Sequence, residues 1–236
     1  MPNLSVILAA AGSSSRFQNP EDKKPFIRLG DKAVWLHSAE MLMKRSDVKQ
    51  LIMVIAAEDR DEFVARFGPN IIVMDIDIVL GGKERSDSVA NALTKVNDAC
   101  DMVMIHDAAR PCIDAKLVDS VVAAAQIHRA AIPTIPVNST IKRSADGKSV
   151  DGTVDRSNLY LAQTPQVFER ELIQSAFANR GTDSPTDEAQ LLESQGHQVA
   201  MVPGSPMNIK ITHRGDLRFA KACMAAMPKA KTGIFD

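Results

Sequence analysis

The residues with the clearest chemical potential lie just after the first apolar run. There Leu8-Ala9-Ala10-Ala11-Gly12-Ser13-Ser14-Ser15-Arg16-Phe17 is followed by Lys23-Lys24-Pro25. Small residues after a buried strand let backbone N–H groups approach a bulky anion closely, and an arginine and a lysine on the same loop can neutralise phosphate oxygens. The stretch has one glycine, so it is neither the dinucleotide fingerprint GxGxxG nor the P-loop GxxxxGK[ST]. A serine-rich turn alone is more often structural; Arg16 and Lys24 at this spacing tip the reading toward a phosphate site.

Two further constellations follow. Ile105-His106-Asp107-Ala108-Ala109-Arg110-Pro111 closes an apolar run, and ligands of open α/β sheets collect at the carboxyl edge of such strands. An aspartate there can ligate magnesium or a ribose hydroxyl, with Arg110 orienting it, or the two can simply pair to close a strand end. Gly81-Gly82-Lys83-Glu84-Arg85-Ser86-Asp87-Ser88 places paired glycines before a helical pattern with Ser88 in its first turn. That suits backbone reading of a nucleobase edge and equally a plain loop-to-helix junction. Thr140-Ile141-Lys142-Arg143, Thr153-Val154-Asp155-Arg156 and Asn208-Ile209-Lys210-Ile211-Thr212 add cations. Each alone reads as solvated; together with Arg16 and Lys24 they suit a reaction that joins two phosphate-bearing substrates.

Composition excludes several classes. The 236 residues are 45% apolar and 24% charged with a net charge of −1, an ordinary globular mixture with no global basic field for nucleic acid. No run reaches transmembrane length, and Leu4–Ala10 lacks the flanks of a signal peptide. His37, His106, His128, His197 and His213 show no metal-ligand spacing. Cys100, Cys112 and Cys223, odd in number and without a CxxC pair, read as reduced thiols in a cytoplasmic protein.

The elements that must position these residues alternate. Strands are predicted at Leu4–Ala10, Leu51–Ala56, Ile71–Met74, Met102–His106, Ala131–Val137 and Val199–Val202. Helices are predicted at Val34–Lys44, Glu58–Phe67, Ser86–Val96, Ala115–Arg129, Glu169–Asn179, Asp187–Gln195 and Arg214–Ala226. Asp114 is the expected N-cap of the fourth helix, and Ser184 with Pro185 the expected start of the sixth. The alternation predicts βαβ units, a mostly parallel sheet flanked by helices, and a single α/β domain over 1–236. The polar stretch Asn138–Gln163, with turn signals at Asp146-Gly147 and Asp151-Gly152, reads as a hairpin-like arm or, failing that, a surface loop.

These motifs together resemble the 2-C-methyl-D-erythritol 4-phosphate cytidylyltransferase family of the non-mevalonate isoprenoid pathway over nearly the whole chain. The specific matches are His106 to Pro111 and the order Thr164-Pro165-Gln166 then Thr186-Asp187-Glu188-Ala189; the first loop alone suggests sugar nucleotidyltransferases in general. The resemblance implies a Rossmann-like nucleotidyltransferase fold with a protruding β-arm for dimerisation, CTP and a small alditol phosphate as substrates, Mg²⁺ as cofactor, and a homodimer with no nucleic-acid or membrane partner. It implies that Arg16 and Lys24 bind the triphosphate and stabilise charge at the α-phosphorus. Ala10, Ala11, Gly12, Gly82 and Ser88 match positions around cytosine and ribose. Asp107 and Arg110 match the nucleotide and metal edge; Thr140, Arg156 and Lys210 match groups that hold the acceptor, with Thr164 close by. Departures fall at Ser14 (usually glycine), Pro25 (commonly glutamine) and Lys83 (acidic in some members). A ribitol 5-phosphate cytidylyltransferase is the nearest rival. A non-catalytic nucleotide-binding regulator is a rival of another class, and a dehydrogenase is disfavoured by the missing GxGxxG.

Overall fold

The structure, a computed structural model, describes residues 1–12, 26–182 and 184–227. In chain order its elements are β1 (Leu4–Ala9), β2 (Arg28–Leu29), β3 (Lys32–Ala33), α1 (Val34–Met43), β4 (Val48–Ile55), α2 (Arg60–Val73), β5 (Ile76–Leu80), α3 (Arg85–Leu93), β6 (Met102–Asp107) and α4 (Ala115–His128). They continue with β7 (Ala130–Pro136), β8 (Ile141–Arg143), β9 (Gly152–Val154), β10 (Tyr160–Ala162), β11 (Gln166–Glu169), α5 (Arg170–Ala178), α6 (Glu188–Ser194), β12 (Ala200–Pro203) and α7 (Asp216–Ala226).

Strand alternation builds the layers. In β1, Leu4, Val6 and Leu8 face one side with Leu51, Met53 and Ile55 of β4, where Trp35, Phe63 and Val118 from α1, α2 and α4 cover them. Ile7, Ile52, Val54, Val103 and Ile105 face the other side under Val89 of α3, Ile173 of α5 and Leu192 of α6. A sheet buried on both faces needs this near-continuous apolar content, and it makes a three-layer α/β/α domain. Indole and phenyl rings of Trp35, Phe63 and Phe67 sit 5.0–5.3 Å apart between α1 and α2.

Eight strands form the main sheet, which runs β7-β11-β6-β1-β4-β5 through its centre. β1 pairs in parallel with β4 and β6, β4 with β5, and β12 with β7. β11 is antiparallel and sits between β6 and β7. Thr134 of β7 is opposite Ala162 of β10 on one side and Pro203 of β12 on the other, while Ala131 is likewise shared by β11 and β12. β10 and β11 therefore lie on the same side of β7. They are one antiparallel run interrupted at Gln163–Pro165, where the Thr164–Pro165 peptide is cis.

Three expectations are corrected. Ile71–Met74 is not a strand: α2 continues through Pro69 to Val73, leaving Ile72 and Val73 80% and 84% exposed. After Asp75, whose φ is +49°, the strand is β5, because Ile76–Leu80 is the segment in register with Leu51–Ile55. The cap of α6 is Asp187, whose carboxylate accepts from Gln190 N–H at 2.9 Å, rather than Ser184 with Pro185. β10 and β11 have no counterpart among the predicted strands, since each is too short to show periodicity. Asp114 does cap α4, accepting from Leu117 N–H at 2.7 Å.

Within Asn138–Gln163, β8 and β9 form a two-stranded antiparallel ladder. The turn joining them is shaped by Asp146, which accepts from the N–H groups of Lys148 and Ser149 at 2.8 and 2.9 Å, and by Gly147 at φ +68°. Most of this stretch is exposed. Among the described residues no helix is long and apolar enough to cross a membrane.

Candidate functional site

Parallel pairing puts the carboxyl ends of β1, β4, β5 and β6 side by side, and a cavity of about 620 Å³ opens there. Its floor is small: Ala9 to Gly12, Ala56, Ala57, Ala108 and Ala109. Gly81 and Gly82 are required by proximity. A Cβ on Gly81 would lie 2.4 Å from the Ala11 methyl and 2.9 Å from Ser88 Oγ, and one on Gly82 would lie 2.3 Å from Asp87 Cβ. Gly82 N–H donates to Ser88 Oγ at 3.0 Å, and that hydroxyl donates to the Glu84 carbonyl at 3.1 Å. The turn is thus closed on the first turn of α3, with Glu84 N–H held by the Asp87 carboxylate at 3.1 Å.

The electrostatic centre is Asp107, the last residue of β6. Lys210 Nζ stands 2.8 Å from Oδ2, Arg110 Nε 3.5 Å from Oδ2 and Arg85 Nη2 3.6 Å from Oδ1. Burial pushes this carboxyl up, but Lys210 foremost, with Arg85 and Arg110, outweighs it and holds it well below the usual carboxylate range. The Asp107 side chain is therefore an anion at neutral pH. Arg85 forms a two-pronged pair with Glu188, at 2.6 and 3.0 Å; burial works against its charge, yet Glu188 keeps it protonated more firmly than an ordinary arginine.

Behind the aspartate, the hydrogen-bond chain fixes a tautomer. The Arg110 carbonyl can only accept, so the proton of the neutral ring sits on Nε2 and Nδ1 accepts from the Thr164 hydroxyl at 2.9 Å, while Thr164 Oγ accepts from Asp107 N–H at 3.0 Å. His106 Nε2–H donates to the Arg110 carbonyl at 3.0 Å. The ring is fully buried, and burial lowers its pKa to about 4 despite the neighbouring Asp107. With both nitrogens committed and no charge, His106 is a strut and not a proton carrier.

Lys210 is delivered by a segment stapled from several sides. Arg110 Nη1 donates to the Asn208 carbonyl at 2.7 Å, Asn208 Nδ2 donates to the Thr164 carbonyl at 2.8 Å, and Ile211 N–H donates to the Ala109 carbonyl at 2.9 Å. Gln163 Nε2 and Oε1 hold Ser205 from both sides, at 2.8 and 3.1 Å. Gln166 does the same for α6: it donates to Asp187 at 2.9 Å and accepts from Ala189 N–H at 3.2 Å. The motif around Thr164 thus sets the N-terminus of α6, and α6 aims Glu188 at Arg85.

Of the residues singled out from sequence, Ala10, Ala11, Gly12, Gly82, Ser88, Asp107 and Lys210 line the cavity. Lys83 lines it too and is exposed. Arg110 and Thr164 stand behind it as supports for Asp107, the hydroxyl of Thr164 bonding Asp107 N–H and His106 Nδ1. Thr140 and Arg156 are exposed in the stretch 138–163 and do not line the cavity; the Arg156 guanidinium donates to the Asn138 carbonyl. Arg16 and Lys24, with Ser14 and Pro25, lie outside the described residues. Arg85 and Glu188 are the functional residues that sequence reasoning quoted within motifs without assigning a role. An arginine at the first position of a glycine-led helix was the available signal.

A mostly parallel sheet with a cation-ringed carboxylate at its carboxyl edge, beside a glycine-tight turn opening a helix, defines a nucleotide-binding enzyme of the nucleotidyltransferase class. The family model for 2-C-methyl-D-erythritol 4-phosphate cytidylyltransferase matches residues 4–226, and the chain belongs to that family. A protein of that name from Clostridioides difficile is 38% identical over 218 residues, covering 92% of each chain. One from Rhodopirellula baltica is 38% identical over 233 residues, covering 94% of this chain and 95% of its own. The crystal structure of 4-diphosphocytidyl-2C-methyl-D-erythritol synthase from Anaerococcus prevotii superimposes with a TM-score of 0.79 at 27% identity, covering 95% of this chain and 99% of its own.

The neutral His106 carries a pH signature. A histidine at about 4 when folded and about 6.5 when unfolded contributes stability that is complete above pH 6.5 and is lost as pH falls toward 4, because the unfolded chain then binds the extra proton. The Asp107 contribution is lost only below the ordinary carboxylate range, outside this window. Urea unfolding between pH 6.5 and 4 should show wild type losing stability more steeply than His106→Gln, by up to about 1.4 kcal/mol per pH unit. Equal slopes would mean that His106 accepts a proton in the folded protein.

Proposed function

We propose that this enzyme transfers the cytidylyl group of CTP to 2-C-methyl-D-erythritol 4-phosphate, giving 4-diphosphocytidyl-2-C-methyl-D-erythritol and pyrophosphate, as a step of non-mevalonate isoprenoid precursor biosynthesis. The observation that carries this reading is a family match spanning residues 4–226 together with the cation-ringed Asp107 in the cavity.

An oxygen of the acceptor phosphate attacks the α-phosphorus in line. The new O–P bond forms as the bond to the pyrophosphate oxygen breaks. The nucleophile is ionised at neutral pH, so no general base is needed, in keeping with the committed nitrogens of His106. What remains is positioning and charge stabilisation. Small residues Ala10 to Gly12, with Gly82 and Ser88, hold cytosine and ribose; Arg16 and Lys24 hold the triphosphate. Lys210 meets the acceptor phosphate, and Arg110 and Thr164 act by fixing Asp107 and the segment that carries Lys210.

A Mg²⁺ bound through substrate phosphates needs only one or two protein carboxylates. Asp107, ionised and lining the cavity, fits that requirement. Among the described residues no three His, Cys, Asp or Glu side chains gather to hold a metal unaided, so the nucleotide itself would supply most of the ligands. When bound, the ion supplies charge neutralisation on the phosphates. The reading includes a cytoplasmic setting, which suits free Cys100, Cys112 and Cys223, and a homodimer in which Thr140 and Arg156 of each arm serve the other subunit's acceptor site. The exposure of both residues, away from their own cavity, supports that arrangement.

Pyrophosphate release from CTP tests the chemistry. Turnover is expected with 2-C-methyl-D-erythritol 4-phosphate, with kcat/KM for ribitol 5-phosphate lower by at least about 10²-fold, the scale of discrimination that a few pocket contacts reach. Comparable or better use of ribitol 5-phosphate would transfer the enzyme to the other acceptor.

The shared site is tested by complementation. Arg16→Ala and Arg156→Ala, each inactive, are denatured together and refolded. Random pairing makes about half the dimers mixed, each with one intact site, so roughly a quarter of wild-type activity should return. A mixture as inactive as its parents, beside a recovering wild-type control, would place Arg156 in its own chain's site.

A further inference from the structure

Glu188 stands apart from the chemistry described so far. Its side chain is 1% exposed and does not line the cavity, yet both its oxygens are spent on Arg85, which does. The carboxylate is not a loose neighbour. It opens α6, the helix whose start is set by Asp187 on Gln190 N–H and by Gln166 on Asp187 and Ala189. A second charge pair runs the same way: Arg180 donates to Asp87, the third residue of α3, and its guanidinium lies over the Phe177 ring. The glycine-led turn that faces the cavity is therefore latched to the segment spanning α5 and α6 at two points, one buried and one partly exposed.

Counting donors shows what the buried latch does. A guanidinium carries five N–H groups in a rigid plane. Glu188 takes one from each terminal nitrogen, and this fixes the plane. Three hydrogens are left over, the second on each terminal nitrogen and the one on Nε, and the separation of Nη2 from Asp107 Oδ1, 3.6 Å, is too long for a full hydrogen bond. Arg85 therefore reaches the cavity as a fixed cation with donors to spare. Without Glu188 the same guanidinium is free to swing onto Asp107 and cancel it.

Resting on the functional reading above, we propose that Glu188 is a positioning residue for nucleotide binding. It acts through Arg85, holding that side chain off Asp107 so that both remain available to CTP. A carboxylate with a merely structural role would affect the melting temperature without altering discrimination between the two substrates. A positioning role weakens CTP binding and leaves the acceptor alone.

The test is calorimetric CTP binding, with Mg²⁺ present, to the folded full-length enzyme and its variants, alongside KM for each substrate. Glu188→Gln keeps shape and loses charge; Arg85→Lys keeps charge and loses the fork. Each should weaken CTP by about tenfold to a hundredfold, the range for losing one hydrogen bond to a charged group, while KM for the acceptor stays within about twofold of wild type, well inside the scatter expected of unrelated sites. The double variant should be no weaker than Arg85→Lys alone, since Glu188 has no other route to the nucleotide. CTP affinity within twofold of wild type in Glu188→Gln, or full additivity in the double variant, overturns the proposal. If Glu188→Gln does not fold, Arg85→Lys decides it, and unchanged CTP affinity there overturns it equally. Failure of wild type itself to bind CTP would instead overturn the functional reading and this inference with it.

Discussion

Asp107 ends its strand as a carboxylate that burial would discharge and three cations keep ionised. An isolated buried charge is costly, and several partners are needed to make it tolerable. Each partner comes from a different part of the chain: Arg85 from the start of α3, Arg110 from the turn after β6, Lys210 from the segment before α7. One carboxylate thus makes two remote segments and its own following turn agree on a single geometry. Among the described residues around the cavity, Lys83, Arg85 and Lys210 stand against Glu58, Glu84 and Asp107, so an anionic ligand would meet cations held in fixed places and not a net positive field.

The surroundings are built so that this centre does not relax. Thr164 and His106 lock the backbone on which Asp107 sits. Asn208 and Gln163 tie the Lys210 segment to the β10–β11 junction, where the antiparallel run is interrupted. Two apolar faces clamp β1, β4 and β6 in parallel, and their alternation decides which ends share an edge. A rigid, preorganised ring of cations suits phosphate chemistry, in which the nucleophile arrives ionised and the enzyme's work lies in placing charge.

Much of this was legible in the sequence, for identifiable reasons. β1, β4, β6 and β7 are long apolar runs buried on both faces, and such runs announce themselves; Asp114 announces α4 in the same way. Asp107 reads equally well as a ligand-binding carboxylate and as half of a strand-closing pair, and Lys210 alone reads as solvated; the resemblance of the whole motif set is what singles them out. What was missed depends on distance in sequence. β5 was displaced because Gly68-Pro69 looks like an end to α2, and only pairing with β4 reveals where the strand lies. β11 has four residues, and its place between β6 and β7 is a tertiary fact. Glu188 looks like any surface glutamate at a helix start until α6 is seen to bury it against Arg85, 103 residues away. The bonds of the Thr164 hydroxyl to Asp107 N–H and His106 Nδ1 likewise join residues 57 and 58 positions apart, beyond what its local motif shows.

The claim at the centre is that the space between the Gly81–Ser88 turn and the Asp107–Lys210 pair is where CTP sits. A crystal structure of the enzyme with a non-hydrolysable CTP analogue and Mg²⁺ tests it most directly. The account predicts the cytosine ring against Gly81, Gly82 and Ser88, with the ribose and phosphates running toward Asp107 and Lys210. A nucleotide bound elsewhere on the sheet, with the Asp107 cluster unchanged and untouched, would contradict it.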